Sequence, residues 1–221
     1  MKYIAHRGVP TLKLENTLGS FHEAIVHGAQ YVECDVWCSA DNELVVIHDA
    51  TLERTHQGVG RVSEHTTLLL MDAGIPTLQQ VMEATGDATV IVELKGKGTA
   101  DALSQLLDTP VHEGGVARER IIVSSFMKPE LVRMKRLQPD VRIAVLIYGA
   151  PTEDEIDLYN SWGVEALHIN DDGDDISESL VRQIHDRSLE IWAYTVNTAE
   201  RRAVLESLGV DGVFTDAIHL L

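Results

Sequence analysis

Near the start of the chain, two histidines, an arginine and several carboxylates stand at the ends of short apolar runs. These are Ile4-Ala5-His6-Arg7-Gly8, Glu15-Asn16-Thr17, Glu33-Cys34-Asp35 and Val46-Ile47-His48-Asp49. Imidazole titrates near neutrality, so a pair such as His6 and His48 can serve as general acid and general base. Glu33 and Asp35 are two residues apart, which on a strand projects both carboxylates from one face; Glu93 and Lys95 repeat the arrangement. Acids directed into one space are penalised unless paired or bound to a cation. Converging carboxylates from Glu33, Asp35 and Glu93 make an oxygen-rich site suited to Mg²⁺ or Ca²⁺ rather than zinc. The competing reading is a structural ion-pair network with Arg7 and Lys95. Arg7 offers a fork of donors for a phosphate and Lys95 a point charge. The chemistry these groups favour together is metal-assisted phosphoryl transfer.

Such groups need rigid strands to carry them, and the chain supplies short β-branched runs at regular intervals. Strands are predicted at 3–6, 31–37, 89–94, 121–125, 142–146, 166–169, 190–195 and 212–214, each reading as buried on both faces. Helical patterns separate them at 17–27, 78–84, 100–107, 129–137, 153–162, 177–186 and 199–208. Thr77 after Pro76 reads as a helix N-cap, Pro129 and Asn197-Thr198 as helix starts, and Gly163 and Gly209 as helix stops. Strand–helix repetition points to a parallel sheet, and eight strands is the count that closes a TIM (β/α)8 barrel. The extended run at 44–48 follows the second strand too closely for a crossover helix, so a hairpin is predicted there. The stretch of about 38–75 then reads as a small insertion after the second strand, within one domain spanning 1–221. Any helix after the last strand must be very short.

Composition narrows the partners. The 221-residue chain has a formal net charge of −17. An acidic surface repels nucleic acid and anionic lipid headgroups, so neither is an expected partner, and no stable membrane association is expected. No run approaches a membrane span, and the N-terminus has no signal-peptide pattern. The two cysteines, Cys34 and Cys38, make no disulfide framework and suit a reducing, cytoplasmic setting, with Cys34 read as a core residue.

The ordered motifs resemble the signatures of the glycerophosphodiester phosphodiesterase family. They are His6-Arg7-Gly8, Glu15-Asn16-Thr17, Glu33-x-Asp35, His48-Asp49-x-Thr51-Leu52-x-Arg54-Thr55, Ile75-Pro76-Thr77-Leu78, Glu93-Leu94-Lys95, Tyr194-Thr195-Val196-Asn197 and Gly209-Val210-Asp211-Gly212-Val213-Phe214-Thr215-Asp216. The resemblance implies a TIM barrel that hydrolyses glycerophosphodiesters, small-molecule substrates, to sn-glycerol 3-phosphate and an alcohol. It makes His6 and His48 the acid/base pair. It makes Glu33, Asp35 and Glu93 ligands of a divalent cation, Mg²⁺, Ca²⁺ or Mn²⁺. Arg7 would hold the phosphate, with Lys95 assisting. Glu15 would stand behind them, orienting the histidines or the arginine, with Asn16 and Asp49 in similar supporting positions. Tyr194 occupies a position where the family often has Trp and keeps an aromatic pocket wall. The alternatives are a lysophospholipase D on the same barrel and a non-catalytic barrel that only binds such diesters.

Lesser features receive plainer readings. Phe126, at the end of the fourth strand, is divided between lining the glycerol pocket and packing in the core. His168 and Asn170 share a face at the end of the sixth strand, from which they could reach the mouth. The acidic run at 171–175 lacks the ligand alternation of a calcium loop and reads as a solvated loop. Gly58-Val59-Gly60 has no strand–helix context and is not a nucleotide fingerprint.

Overall fold

A computed structural model describes residues 1–172 and 175–220, so Gly173 and Asp174 of the acidic run lie outside the described residues. Nine strands are described: β1 Lys2–His6, β2 Tyr31–Cys38, β3 Leu44–Val46, β4 Thr89–Leu94, β5 Ile121–Ser125, β6 Arg142–Ile147, β7 Ala166–Asn170, β8 Glu190–Tyr194 and β9 Gly212–Thr215. Eight of them pair in parallel in the ring order β1-β2-β4-β5-β6-β7-β8-β9, and β9 closes on β1. This is a closed TIM barrel. β3 hangs outside it, antiparallel to β2 with Val36 opposite Val46, as the hairpin reading requires.

Alternation along each strand sorts the side chains into two cores. The outward set includes Ala5, Val32, Cys34, Val36, Val90, Val92 and Val123, and packs under the helices. The inward set, Ile4, Ile91, Ile122, Ala144, Ala166, Trp192 and Phe214, plugs the barrel. Burial on both faces explains why these strands read as continuous apolar runs. Further along each strand the inward positions become polar. In β2 Tyr31 gives way to Glu33 and Asp35, in β4 Ile91 to Glu93, in β5 Ile122 to Ser124, and in β7 Ala166 to His168 and Asn170. The barrel is therefore an apolar plug with a polar upper end, at the C-terminal ends of its strands.

The helices are α1 Leu18–Val26, α2 Thr67–Asp72, α3 Leu78–Ala84, α4 Thr99–Asp108, α5 Lys128–Leu137, α6 Glu153–Ser161, α7 Glu178–His185 and α8 Ala199–Leu208. α3 starts at a capping box in which Thr77 accepts from the Gln80 amide and Gln80 accepts from the Thr77 amide, an arrangement worth about 1 kcal/mol. Gly209 ends α8 at φ 89°. Among the described residues after β9 the regular structure is a 3-10 turn at Ile218–Leu220. α2 lies inside the expected insertion and was not anticipated as a helix. The insertion has its own small core of Val45, Ile47, Leu52, Val62, Leu70 and Ile75 against Trp37, so it is a built platform on β2.

Candidate active site

The loop after β1 has an unusual backbone. Arg7 and Asn16 both adopt left-handed conformations, at φ 54° and φ 57°, a cost of order 1–2 kcal/mol each for non-glycine residues. Gly8 follows at φ 89°, and a Cβ there would lie 2.6 Å from the Ser20 carbonyl carbon. Ser20 explains that closeness. Its hydroxyl donates to the Arg7 carbonyl at 3.0 Å and accepts from the Val9 amide at 2.8 Å, clamping the loop onto α1. The clamp fixes Arg7, whose amide donates to Glu33 Oε2 at 3.1 Å and whose Nη1 donates to Glu15 Oε1 at 3.0 Å. Arg7 Nε lies 3.2 Å from Asp35 Oδ2. Glu15 thus supports the arginine and makes no described contact with either histidine. Arg54 joins Glu15 to Asp49, donating to both.

Each histidine is held through Nδ1 by a carboxylate. His6 Nδ1 meets Asp216 Oδ1 at 2.8 Å, and His48 Nδ1 meets Asp49 Oδ1 at 2.7 Å. Asp216 is itself held, its Oδ2 accepting from Asn197 Nδ2 at 2.7 Å and its amide donating to Asn197 Oδ1 at 2.8 Å. With Nδ1 occupied as donor to a carboxylate, both rings keep Nε2 for a reacting group. Burial lowers His48 below the ordinary imidazole value, despite the nearby Asp35 charge.

Between the histidines lies the carboxylate cluster. Glu33, Asp35 and Glu93 are buried and each offers an oxygen within 4.8 Å of the others. Lys95 Nζ stands 3.0 Å from Glu93 Oε1 and 3.4 Å from Asp35 Oδ1. Asn16 Nδ2 donates to Asp35 Oδ2 at 2.8 Å. Burial, then the Asp35 charge, push Glu33 well above the usual carboxylate range and raise Glu93 to about 8. Burial would also raise Asp35, but Arg7 and Lys95 outweigh it and hold the group at about 2. Three buried carboxylates therefore face two cations, one of which Glu15 shares. An all-oxygen donor set, in which buried Asp35 Oδ1 has the Lys95 ammonium at 3.4 Å but no hydrogen bond among the described residues, fits a hard divalent cation.

His6, Arg7, Glu33, His48, Glu93, Lys95, Phe126 and Tyr194 line one cavity of about 230 Å³. Asp35 lies buried beside it, and Glu15, Asn16 and Asp49 form the support around it. Phe126 faces the cavity, stacked on Tyr148 with centroids 4.5 Å apart and edge-on to Tyr194 at 6.1 Å. Tyr194 is anchored by its hydroxyl, which donates to the Ile147 carbonyl at 2.8 Å. Asn170 and His168 both line the cavity, but His168 sits fully buried at its base rather than at the mouth. Sequence reading assigned no role to Asp216, Asn197, Arg54, Ser124 or Tyr148. Asp216, Asn197 and Arg54 stand inside the quoted motifs, which was the available signal. Ser124 and Tyr148 carried none.

Comparison with known proteins finds relatives along nearly the whole chain. A sequence model described as the glycerophosphoryl diester phosphodiesterase family matches residues 6–220. A glycerophosphodiester phosphodiesterase of Caldanaerobacter subterraneus subsp. tengcongensis is 31% identical over 229 residues, covering 96% of this chain and 93% of that protein. An Oleispira antarctica phosphodiesterase, solved in complex with the product sn-glycerol-3-phosphate, superposes with a TM-score of 0.89 at 27% identity, covering 100% of this chain and 94% of that one. A Thermotoga maritima glycerophosphodiester phosphodiesterase gives a TM-score of 0.85 at 27% identity, covering 99% and 95%.

Proposed function

The chain belongs to the glycerophosphoryl diester phosphodiesterase family and is an enzyme of that class; on that premise we propose the chemistry of its site. The substrate is a small glycerophosphodiester, cleaved to sn-glycerol 3-phosphate and an alcohol by histidine acid/base catalysis with a divalent cation. The observation that carries this reading is the pairing of His6 and His48, each tied through Nδ1 to its own carboxylate, on either side of the Glu33–Asp35–Glu93 cluster in one cavity.

Arg7 and Lys95 hold the diester phosphate, the first by its fork of donors and the second as a point charge. Glu33, Asp35 and Glu93 would hold Mg²⁺, Ca²⁺ or Mn²⁺, which when bound supplies positive charge that polarises a phosphoryl oxygen. One histidine takes a proton on Nε2 from the attacking oxygen as it bonds to phosphorus, that oxygen belonging either to water or to the neighbouring glycerol hydroxyl, whose cyclic ester water then opens. The other gives a proton from Nε2 to the leaving oxygen as its P–O bond breaks. Asp216 and Asp49 keep the rings in the tautomer and direction this requires and stabilise each imidazolium. Phe126 and Tyr194 wall the organic part of the substrate. A cytoplasmic setting belongs to the same reading and is supported by two unpaired thiols, Cys34 being buried in the outer core.

Release of glycerol 3-phosphate from glycerophosphocholine, with chelator and then with Mg²⁺, Ca²⁺ or Mn²⁺ restored, tests the proposal. Activity should vanish with chelator and return with cation; turnover indifferent to chelation removes the cation from the reading. His6→Ala and His48→Ala should each lose most turnover, and wild-type rates in either would sink the acid/base assignment.

A further inference from the structure

The wall of the cavity across from the charged groups is uncharged. In the ring order β7 stands diametrically opposite β2, so His168 faces the side that carries Glu33 and Asp35. Ser124 of β5 and Asn170 of β7 line the same cavity. His168 is fully buried, and neither of its ring nitrogens has a hydrogen-bond partner among the described residues. Its ring cannot turn away to find one. It is stacked on Trp192 at 4.8 Å and 15°, and Phe214 meets it edge-on at 4.9 Å. Buried polar atoms are nearly always paired, and leaving one unpaired costs about 1–3 kcal/mol.

A cavity-lining group with that deficit is built for a partner delivered from the cavity. Burial pushes His168 down to about 3, so at neutral pH the ring offers one donor and one acceptor. A hydroxyl has the same pair of capacities, whereas an anion would meet a lone pair on the ring's acceptor nitrogen. The cavity is closed at this end and open at the other, where Tyr148 of the Phe126–Tyr148 stack is 75% exposed. The closed end suits the part of the substrate that stays constant, and the open end suits the alcohol that varies.

We propose that His168 is a specificity-determining residue that hydrogen-bonds a glycerol hydroxyl at the closed base of the cavity. The assignment rests on the reading that the chain acts on glycerophosphodiesters. Calorimetric binding of sn-glycerol 3-phosphate and of n-propyl phosphate, which lacks both hydroxyls, tests it on the intact chain with Mg²⁺ present. Wild type should prefer glycerol 3-phosphate. His168→Phe should lose that preference by about 10-fold or more while propyl phosphate binding stays within about 2-fold. His168→Gln, which keeps a donor and an acceptor, should recover part of it. Thermal melts establish that each variant is folded, and His168→Leu replaces the phenylalanine variant if that one is not. An apolar variant that keeps wild-type discrimination, or weakens both ligands alike, overturns the proposal. Wild-type protein that binds neither ligand and cleaves no glycerophosphodiester instead overturns the functional reading beneath it.

Discussion

Acid should weaken the fold through His168 in a way that can be calculated. The ring titrates near 6.5 when free and at about 3 when folded, because burial disfavours its charged form. Its folded value is depressed, so its contribution is intact above 6.5 and is lost as pH falls, when the unfolded chain takes up a proton that the folded chain refuses. At pH 4.5 the unfolded ring is protonated and the folded ring is not. Two pH units below 6.5, at about 1.36 kcal/mol each, give a loss of about 2.7 kcal/mol, of which about 0.2 is already present at pH 7. The net, about 2.5 kcal/mol, hardly changes if the folded value moves by a unit, since the ring stays neutral in the native state either way. Replacing the imidazole with a phenyl ring removes the titration and also an unpaired polar group. His168→Phe should therefore match or exceed wild-type stability at pH 7. The contributions of the site carboxylates are common to both proteins and cancel. Urea unfolding of both at pH 7 and 4.5 is the assay. Wild type should lose about 2.5 kcal/mol more than the variant between the two pH values. Parallel losses, agreeing within about 0.5 kcal/mol, would mean that the folded ring accepts a proton freely and that the calculation is wrong.

Asp216→Ala should lower kcat/KM by about 10- to 100-fold, the range for losing a group that orients an imidazole. Asp216→Asn, which can still accept from His6 Nδ1, should lose less, and an alanine variant with wild-type kcat/KM would remove Asp216 from the machinery. Mg²⁺ or Ca²⁺ at 100 times its Kd should stabilise the fold by about 2.7 kcal/mol. A thermal melt reads this directly, and the response should disappear in Glu93→Gln; an unchanged response in that variant would move the cation elsewhere. Gly8→Ala must adopt φ 89° and press its Cβ on the Ser20 backbone. It should cost more than about 1–2 kcal/mol, with Tm and activity falling together; a melt within a degree of wild type would mean that the clamp yields.

How much of this was legible depended on whether the signal was local. Period-two alternation put Glu33 and Asp35 on one face and made the barrel count readable, because strands buried on both sides leave unbroken apolar runs. His6 and His48 were legible for the same reason, as polar interruptions at the ends of those runs. The partners of His6 were not. Asp216 lies 210 residues away and reaches the ring because β9 pairs with β1, a contact created by closure and invisible to any window of sequence. Nor was α2 legible, since six residues, TLLLMD, are too few to carry a helical period and gain their support from the platform core. His168 was placed on the right strand face but taken toward the mouth. Its depth follows from the register of Trp192 and Phe214 around it, which sequence spacing does not contain.

Several departures from good local folding rules meet at one cavity. Arg7 and Asn16 are left-handed without being glycine. Three acids are buried together, and the His168 imidazole is buried without a hydrogen-bond partner among the described residues. The buried groups would be relieved by ligands of specific chemistry, a cation for the carboxylates and a hydroxyl for His168, while the constrained loop presents Arg7 to an anion. Those three chemistries are the parts of a glycerol phosphate ester beside a divalent ion. They are also arranged in order around the ring of strands, with acids on β2 and β4, the arginine after β1 and the imidazole across on β7. A structural ion-pair network would account for Arg7 and Lys95 among the carboxylates, but it gives no reason for a clamped, unpartnered histidine on the opposite wall. The substrate reading accounts for both sides with one molecule, and that is why removing the acids and removing His168 should fail differently: the first in cation binding, the second in telling glycerol phosphate from propyl phosphate.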